Sequence, residues 1–194
     1  MREGESYNEK DDRELVQAYL DGEEDILPYL IKRHIKAVYN FAHSFTSDEA
    51  IAEDITQEVF VKVWKKLKSY NPKYSFKTWL FTIARNTAFD YLRKKKDLNF
   101  SDFETVDGSN ALTDNLTDEA VSAEEDLIKI ENIEYVRQGI SKVPLLYREV
   151  LILRYNHDLS LDEISTVLKR PLETVKSQYR RGLLHLKTLL TRIN

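Results

Sequence analysis

The sequence has no cysteine, so disulfides and thiolate metal sites are excluded and the composition fits a reducing compartment. Its four histidines, His34, His43, His157 and His185, are too scattered to suggest a ligand pair of the HExxH kind. Each reads as a surface or partly packed side chain. No apolar run approaches the roughly 20 residues that a membrane-spanning helix needs. The amino-terminal stretch MREGESYNEKDDRE is acidic where a signal peptide is first basic and then apolar. No repeat period is visible. These absences lead to the expectation of a soluble, cytoplasmic protein with no membrane insertion, no cofactor and no metal.

What the chain does have is charge arranged in blocks. Its 194 residues are 42% hydrophobic, which leaves room for one or two small domains with real cores. The formal net charge of −4 conceals alternation. Residues 1–27 carry 3 basic and 10 acidic side chains, residues 28–96 carry 14 and 6, residues 97–126 carry none and 10, and residues 127–194 carry 12 and 7. Two basic modules are joined by an acidic tether, a pattern that suits two contacts with a polyanion and a connector held off it. The tether, DLNFSDFETVDGSNALTDNLTDEAVSAEED, is rich in Asp, Asn, Ser and Thr, so a flexible linker is expected. A solvated connector without function is the competing reading.

The sharpest motif lies in the second basic module. Ser160 and Glu163 have the spacing of a capping box, in which each side chain accepts from the other residue's amide. Leu161, Ile164 and Leu168 then give one apolar stripe. Lys169 and Arg170 lead into Pro171, whose fixed φ and missing N–H suit the first position of a new helix, expected over 171–190. At about 100° per residue, that helix gathers Leu172, Val175, Tyr179, Leu183, Leu186 and Leu190 on one arc and Lys176, Ser177, Arg180 and Arg181 on another. The pair reads as a helix-turn-helix. Long cations and a hydroxyl on its outer arc suit the major groove, where Arg and Lys meet guanine acceptors and phosphates. An ordinary solvated amphipathic helix is the alternative, and the capped partner helix and tight turn weigh against it.

In the first module, Thr46 and Glu49 have capping-box spacing and open a helix through about Leu67. Ala52, Ile55, Val59, Phe60, Val63, Trp64 and Leu67 cover its core side, and Asp54, Gln57, Glu58, Val61 and Lys65 fill the other. Paired carboxylates can do acid–base work, but no nucleophile, histidine or glycine-rich loop stands near them. A solvated face or a polar docking surface remains. The following element, TWLFTIARNTAFDYLRKKK, is apolar around most of its circumference except for a strip of Trp79, Thr82, Asn86, Asp90 and Arg93. It ends in Arg93, Lys94, Lys95 and Lys96, cations that either favour the helix dipole or contact DNA. The preceding SYNPKYSFKTW interleaves Tyr70, Tyr74, Phe76 and Trp79 with Lys73 and Lys77, and aromatic faces beside cations suit unstacked bases and phosphates. Some of these rings belong to the core, and partial burial is expected of Trp79 first.

The order AEDITQEVFVKVWKKL, YNPKYSFKTWLFTIARNTAFDYLRKKK, an acidic linker and LSLDEISTVLKRPLETVKSQYRRGLLHLK resembles bacterial sigma factors of the extracytoplasmic-function group over nearly the whole chain. The resemblance implies an all-α protein: an amino-terminal sigma domain over 1–96, a linker over 97–122 and a carboxy-terminal domain with the helix-turn-helix over 123–194. It implies a transcription initiation factor that binds RNA polymerase core, directs it to a promoter and helps open the duplex, without catalytic chemistry of its own. By position, Asp54, Gln57 and Glu58 match the core-docking segment. Tyr70, Lys73, Tyr74, Trp79, Asn86, Arg93 and Lys94 match the part that meets the minus-ten element, with Tyr70 and Asn86 lining the pocket for a flipped base. Thr174, Lys176, Ser177, Arg180 and Arg181 match the surface that reads the minus-thirty-five element. The linker resembles the segment that threads the polymerase cleft. An anti-sigma factor is a further expected partner. Three positions depart from the family pattern: Glu173 stands where glycine is usual, and Gln178 and Gly182 replace a commoner arginine and alanine.

Two other function classes compete. A dimeric helix-turn-helix regulator without polymerase docking explains the carboxy-terminal module and leaves the aromatic segment idle. A metal-dependent nuclease or recombinase using Asp54 and Glu58 lacks a third ligand at matching spacing.

Overall fold

The computed structural model describes residues 7, 9–94 and 133–191. The expected linker, 97–122, and the start of the expected second domain lie outside these residues. The chain divides into two compact units, Met1–Lys95 and Lys96–Asn194. Among the described residues every regular element is helical, and no helix is long and apolar enough to cross a membrane.

Unit 1 begins with α1 (Asp12–Leu20), which opens on a capping box: Asp11 accepts from the Glu14 amide and Glu14 accepts from the Asp11 amide. Two orphan helix donors are thereby satisfied. α2 (Leu27–Thr46), α3 (Glu49–Lys66) and α4 (Phe76–Lys94) pack together around one core. Val38, Phe41, Ile55, Val59, Leu80 and Phe81 are fully buried there. Each contributes about 1.5–3 kcal/mol by leaving water. Phe41 meets Phe81 edge-on at 5.5 Å and Phe45 meets Phe89 at 5.5 Å, so aromatic edges tie α2 to α4.

Two expectations for α3 are corrected. Thr46 does not cap it. Ser47 turns left-handed (φ 50) and ends α2 with its amide on His43, the Thr46 hydroxyl donates back to the Ala42 carbonyl, and Asp48, extended, accepts from the Ile51 amide at 3.0 Å as the cap. Trp64 does not join the core: it is 57% exposed. The buried stripe, Ala52, Ile55, Thr56, Val59, Phe60 and Val63, is narrower than half the wheel and stops short of it.

Unit 2 is built from α5 (Ile133–Lys142), α6 (Leu145–Leu151), α7 (Leu161–Leu168) and α8 (Leu172–Thr191). A single π-turn, Ile152–Asn156, continues α6. α8 packs on α5, α6 and α7. The α5 approach depends on Gly139, where an added Cβ would stand 2.6 Å from a Leu186 methyl. At Gly182 a Cβ would meet Leu151 at 3.1 Å. The departure from alanine at this position thus coincides with close packing of α8 on α6.

Candidate nucleic-acid interface

The helix-turn-helix forms as its sequence predicts. Ser160 accepts from the Glu163 amide and Glu163 from the Ser160 amide. The start of α7 is held from behind as well, because Leu159 donates its amide to Leu153 while Arg154 donates to the Leu159 carbonyl. α7 ends at Lys169 in the left-handed region (φ 53). The Arg170 amide donates to Ser165 and the Lys169 amide to Thr166, the double closure of a Schellman motif. The chain can then turn directly into α8 at Pro171.

On α8, Val175, Tyr179, Leu183, Leu186 and Leu190 are buried. Thr174 is exposed, and Lys176, Ser177, Arg180 and Arg181 are half-exposed. These five residues occupy the first half of the helix, the part that enters the major groove in this motif. Glu173 lies beside them. Its carboxylate accepts from the Lys176 ammonium at 2.7 Å. That hydrogen bond and charge, with a smaller contribution from Arg180, hold its carboxyl below the ordinary range. Arg181 also borders an open groove of about 500 Å³ shared with Lys142, Pro144, Leu184 and His185. Gln178, on the same helix, faces inward at 8% exposure.

In unit 1 the loop between α3 and α4 is built around Tyr70. Its ring meets Trp79 at 5.5 Å and Phe76 at 6.0 Å, and its hydroxyl donates to the Tyr74 carbonyl at 2.6 Å. Burial raises the Tyr70 phenol above its ordinary pKa. Asn71 accepts from the Lys73 amide at 3.0 Å, and Arg13 of α1 donates to the Pro72 carbonyl at 3.2 Å. Lys73 and Tyr74 are exposed, with the Lys73 ammonium 6.0 Å from the Tyr74 ring. The structure therefore brings Tyr70, Phe76 and Trp79 together and leaves Lys73 and Tyr74 at the rim.

The polar strip of α4 is present: Trp79, Thr82, Asn86 and Asp90 are half-exposed, Arg93 and Lys94 are exposed, and Asp90 accepts from Arg93 at 2.9 Å. Asn86 stands two turns beyond Trp79, roughly 10 Å along the axis. Lys95 and Lys96 lie outside the described residues. α4 enters with the Ser75 hydroxyl accepting from the Thr78 amide at 3.1 Å, so loop and helix share a fixed junction.

Asp54, Gln57 and Glu58 are exposed on α3. Glu58 pairs with Lys62 at 2.7 Å, and the same ammonium donates to the Thr87 hydroxyl on α4 at 3.0 Å. Val61 and Trp64, 46% and 57% exposed, continue this face at helical spacing. Sequence reading placed Trp64 in the core and so missed an apolar centre within the polar face.

Two of the four histidines are also not where composition placed them. His34 is buried, its Nε2 2.8 Å from Asp12 Oδ2 and its ring against Phe76. Arg33 donates to the other Asp12 oxygen at 2.8 Å. Burial opposes ionisation of Asp12, but His34 and Arg33 outweigh it and hold the carboxyl below the usual range. His157 is buried too. Among the described residues no group of three or more His, Cys, Asp or Glu side chains is placed to hold a metal.

Residues 30–97 match the family model for Sigma-70 region 2, and residues 133–186 match that for Sigma-70, region 4. The ECF RNA polymerase sigma factor SigW of Bacillus subtilis is 32% identical over 163 residues, 83% of this chain and 87% of that protein. SigM of the same organism is 32% identical over 164 residues, covering 84% and 94%. Among solved structures, CnrH in complex with the cytosolic domain of CnrY aligns with a TM-score of 0.66 at 24% identity, over 94% of this chain and 99% of that one. The sigma factor RpoE in complex with the anti-sigma factor NepR, from Bartonella quintana, aligns with a TM-score of 0.60 at 22% identity, over 83% and 94%. At these identities the structural likeness shows the fold.

Proposed function

We infer, from the fact that this chain belongs to the extracytoplasmic-function group of bacterial RNA polymerase sigma factors, that its two units divide promoter recognition between them. α8 reads the minus-thirty-five element through Thr174, Lys176, Ser177, Arg180 and Arg181. The loop at Tyr70 and the α4 strip take the minus-ten element, where Lys73, Tyr74, Arg93 and Lys94 meet phosphates and unstacked bases and Asn86 contacts the extruded base. The protein acts in the cytoplasm as a dissociable polymerase subunit. It supplies binding free energy for strand opening and no bond-making chemistry.

The observation that carries this reading is the pair of surfaces in unit 1. A dimeric regulator needs only the helix-turn-helix. This chain also has an aromatic loop fixed to a helix with a polar strip, and an α3 face on which an exposed tryptophan follows Asp54, Gln57 and Glu58. Exposed aromatics ringed by polar groups mark protein docking sites, so α3 is assigned to RNA polymerase core through Asp54, Gln57, Glu58, Val61 and Trp64. The complex of one structural relative, RpoE, with the anti-sigma factor NepR supports an anti-sigma factor as a partner that would mask these same surfaces.

The test is capture of the chain by immobilised core polymerase, followed by run-off transcription from a promoter fragment. The Asp54→Lys/Glu58→Lys variant is expected to lose core affinity at least tenfold, while its α8 keeps the ability to bind duplex DNA. Unchanged core affinity in that variant would remove the α3 assignment.

A further inference from the structure

The helix-turn-helix contains an ion pair in its interior. Glu149 on α6 is fully buried, and its carboxylate meets the guanidinium of Arg170, Nη1 to Oε1, at 2.5 Å. Arg170 is part of the turn, between the left-handed Lys169 and Pro171. Its side chain is only 17% exposed. The same Nη1 donates to Oε1 of Gln178 at 3.1 Å. One carboxylate on α6 therefore holds a point in the turn and, through it, a point almost two turns into α8.

This contact does something that the apolar packing of α8 does not. Val175, Tyr179 and Leu183 resist withdrawal of the helix from the core, but hydrophobic burial is non-directional. A buried carboxylate is unfavourable unless a cation pairs with it, so the pair ties the turn to α6 and, through the Arg170–Gln178 hydrogen bond, to α8. One departure from the family pattern, Gln178, falls at the same site. An arginine at position 178 would start from a residue whose side chain already reaches the Arg170 guanidinium, and its own guanidinium would lie within range of Glu149. In this chain the cation comes instead from the turn, and Gln178 accepts a hydrogen bond from it.

We propose that Glu149, Arg170 and Gln178 form a clamp that sets the angle at which α8 meets minus-thirty-five DNA, and that Arg170 and Gln178 are positioning residues that do not touch DNA. The proposal rests on the assignment of α8 as the reading helix. It explains why the cation next to Pro171, which the sequence places at the mouth of a DNA-binding motif, points inward.

The test uses holoenzyme containing the full chain and promoter fragments that the unsubstituted holoenzyme selects from genomic DNA. Two quantities are read: the ratio of promoter to unrelated-DNA affinity, and amide exchange over residues 145–191. Arg170→Met leaves Glu149 buried without its cation, so exchange accelerates and the ratio falls at least tenfold. Glu149→Gln/Arg170→Met removes both charges, returning exchange toward the parent value while the ratio stays at least fivefold low. Arg170→Met/Gln178→Arg brings a cation back to the carboxylate from α8 and restores both. The clamp is overturned if Arg170→Met weakens all sequences equally and lowers the salt slope, the mark of a phosphate contact. It is equally overturned if Gln178→Arg fails to restore the ratio. The exchange arm needs no promoter. Loss of the sigma assignment would appear as absence of preference in the unsubstituted protein, whereas loss of the clamp would appear as unchanged exchange in Arg170→Met.

Discussion

Tyr70 and Asn86 match two walls of one pocket by resemblance, and the structure gives them different physical positions. The Tyr70 hydroxyl is held by the Tyr74 carbonyl and its ring is packed against Phe76 and Trp79, so Tyr70 shapes the loop. Asn86 is half-exposed on the α4 strip, where its amide can discriminate between bases. Flipping a base costs a few kcal/mol of stacking and pairing, and a hydrogen bond to the extruded base offsets part of it. Asn86→Ala is therefore expected to lower open complex on a duplex promoter by about 1–2 kcal/mol, roughly tenfold, read as permanganate-reactive thymines. A premelted bubble should restore most of the lost transcription. Equal opening of the duplex promoter by parent and variant would assign Asn86 to the helix surface alone. At Glu173, a carboxylate where the family has glycine looks opposed to phosphate binding. The Lys176 contact turns it into a partner for one of the proposed DNA-reading cations, a relation that spacing of three on a helix makes legible.

At the scale of the element, local signals were legible where the deciding contact is local. The Ser160–Glu163 box and the α8 apolar arc are relations within one or two turns, and both are present; Pro171 stands one residue before α8, its carbonyl accepting from the Val175 amide. Thr46–Glu49 has the same spacing as Ser160–Glu163, yet Asp48 caps α3, because the left-handed Ser47 reverses the chain one residue before the cap. Trp64 was placed in the core by counting apolar residues on a wheel, which does not reveal how wide a stripe the neighbouring helices cover. The Asp12–Arg33–His34 cluster joins residues more than twenty apart, and no periodicity announces it. It ties α1 to α2. Since the folded Asp12 pKa is lowered, its contribution is present above the unfolded value and lost as pH falls through the folded one. Asp12→Asn should destabilise unit 1 at neutral pH by roughly 1–2 kcal/mol. The two proteins should converge well below pH 3.9, about the value of an unperturbed Asp. Both tryptophans, Trp64 and Trp79, lie in unit 1, so tryptophan fluorescence during urea unfolding reports this difference. A constant gap down to the lowest pH at which unit 1 stays folded would show that the Asp12 charge contributes nothing.

Over the whole molecule, the charge blocks announced the organisation before any element was assigned. Basic segments at 28–96 and 127–194 contain the residues proposed to meet DNA in the two units, although the net charge of the chain is negative. The fold class was legible because helical periodicity and the order of motifs agree. The buried ion pairs were not, since a charged residue at a turn reads as solvated unless its partner is known. The central claim is that this chain confers promoter choice on a polymerase that lacks it. The most direct measurement is run-off transcription by core polymerase on fragmented genomic DNA, with and without the full chain, mapping every transcript's start. New starts are expected that appear only with the chain and share two upstream sequence blocks at a fixed spacing, with the upstream block lost as a preference when Arg180 and Arg181 are replaced by Ala. Starts that are the same with and without the chain, or new starts with no shared upstream sequence, would contradict it.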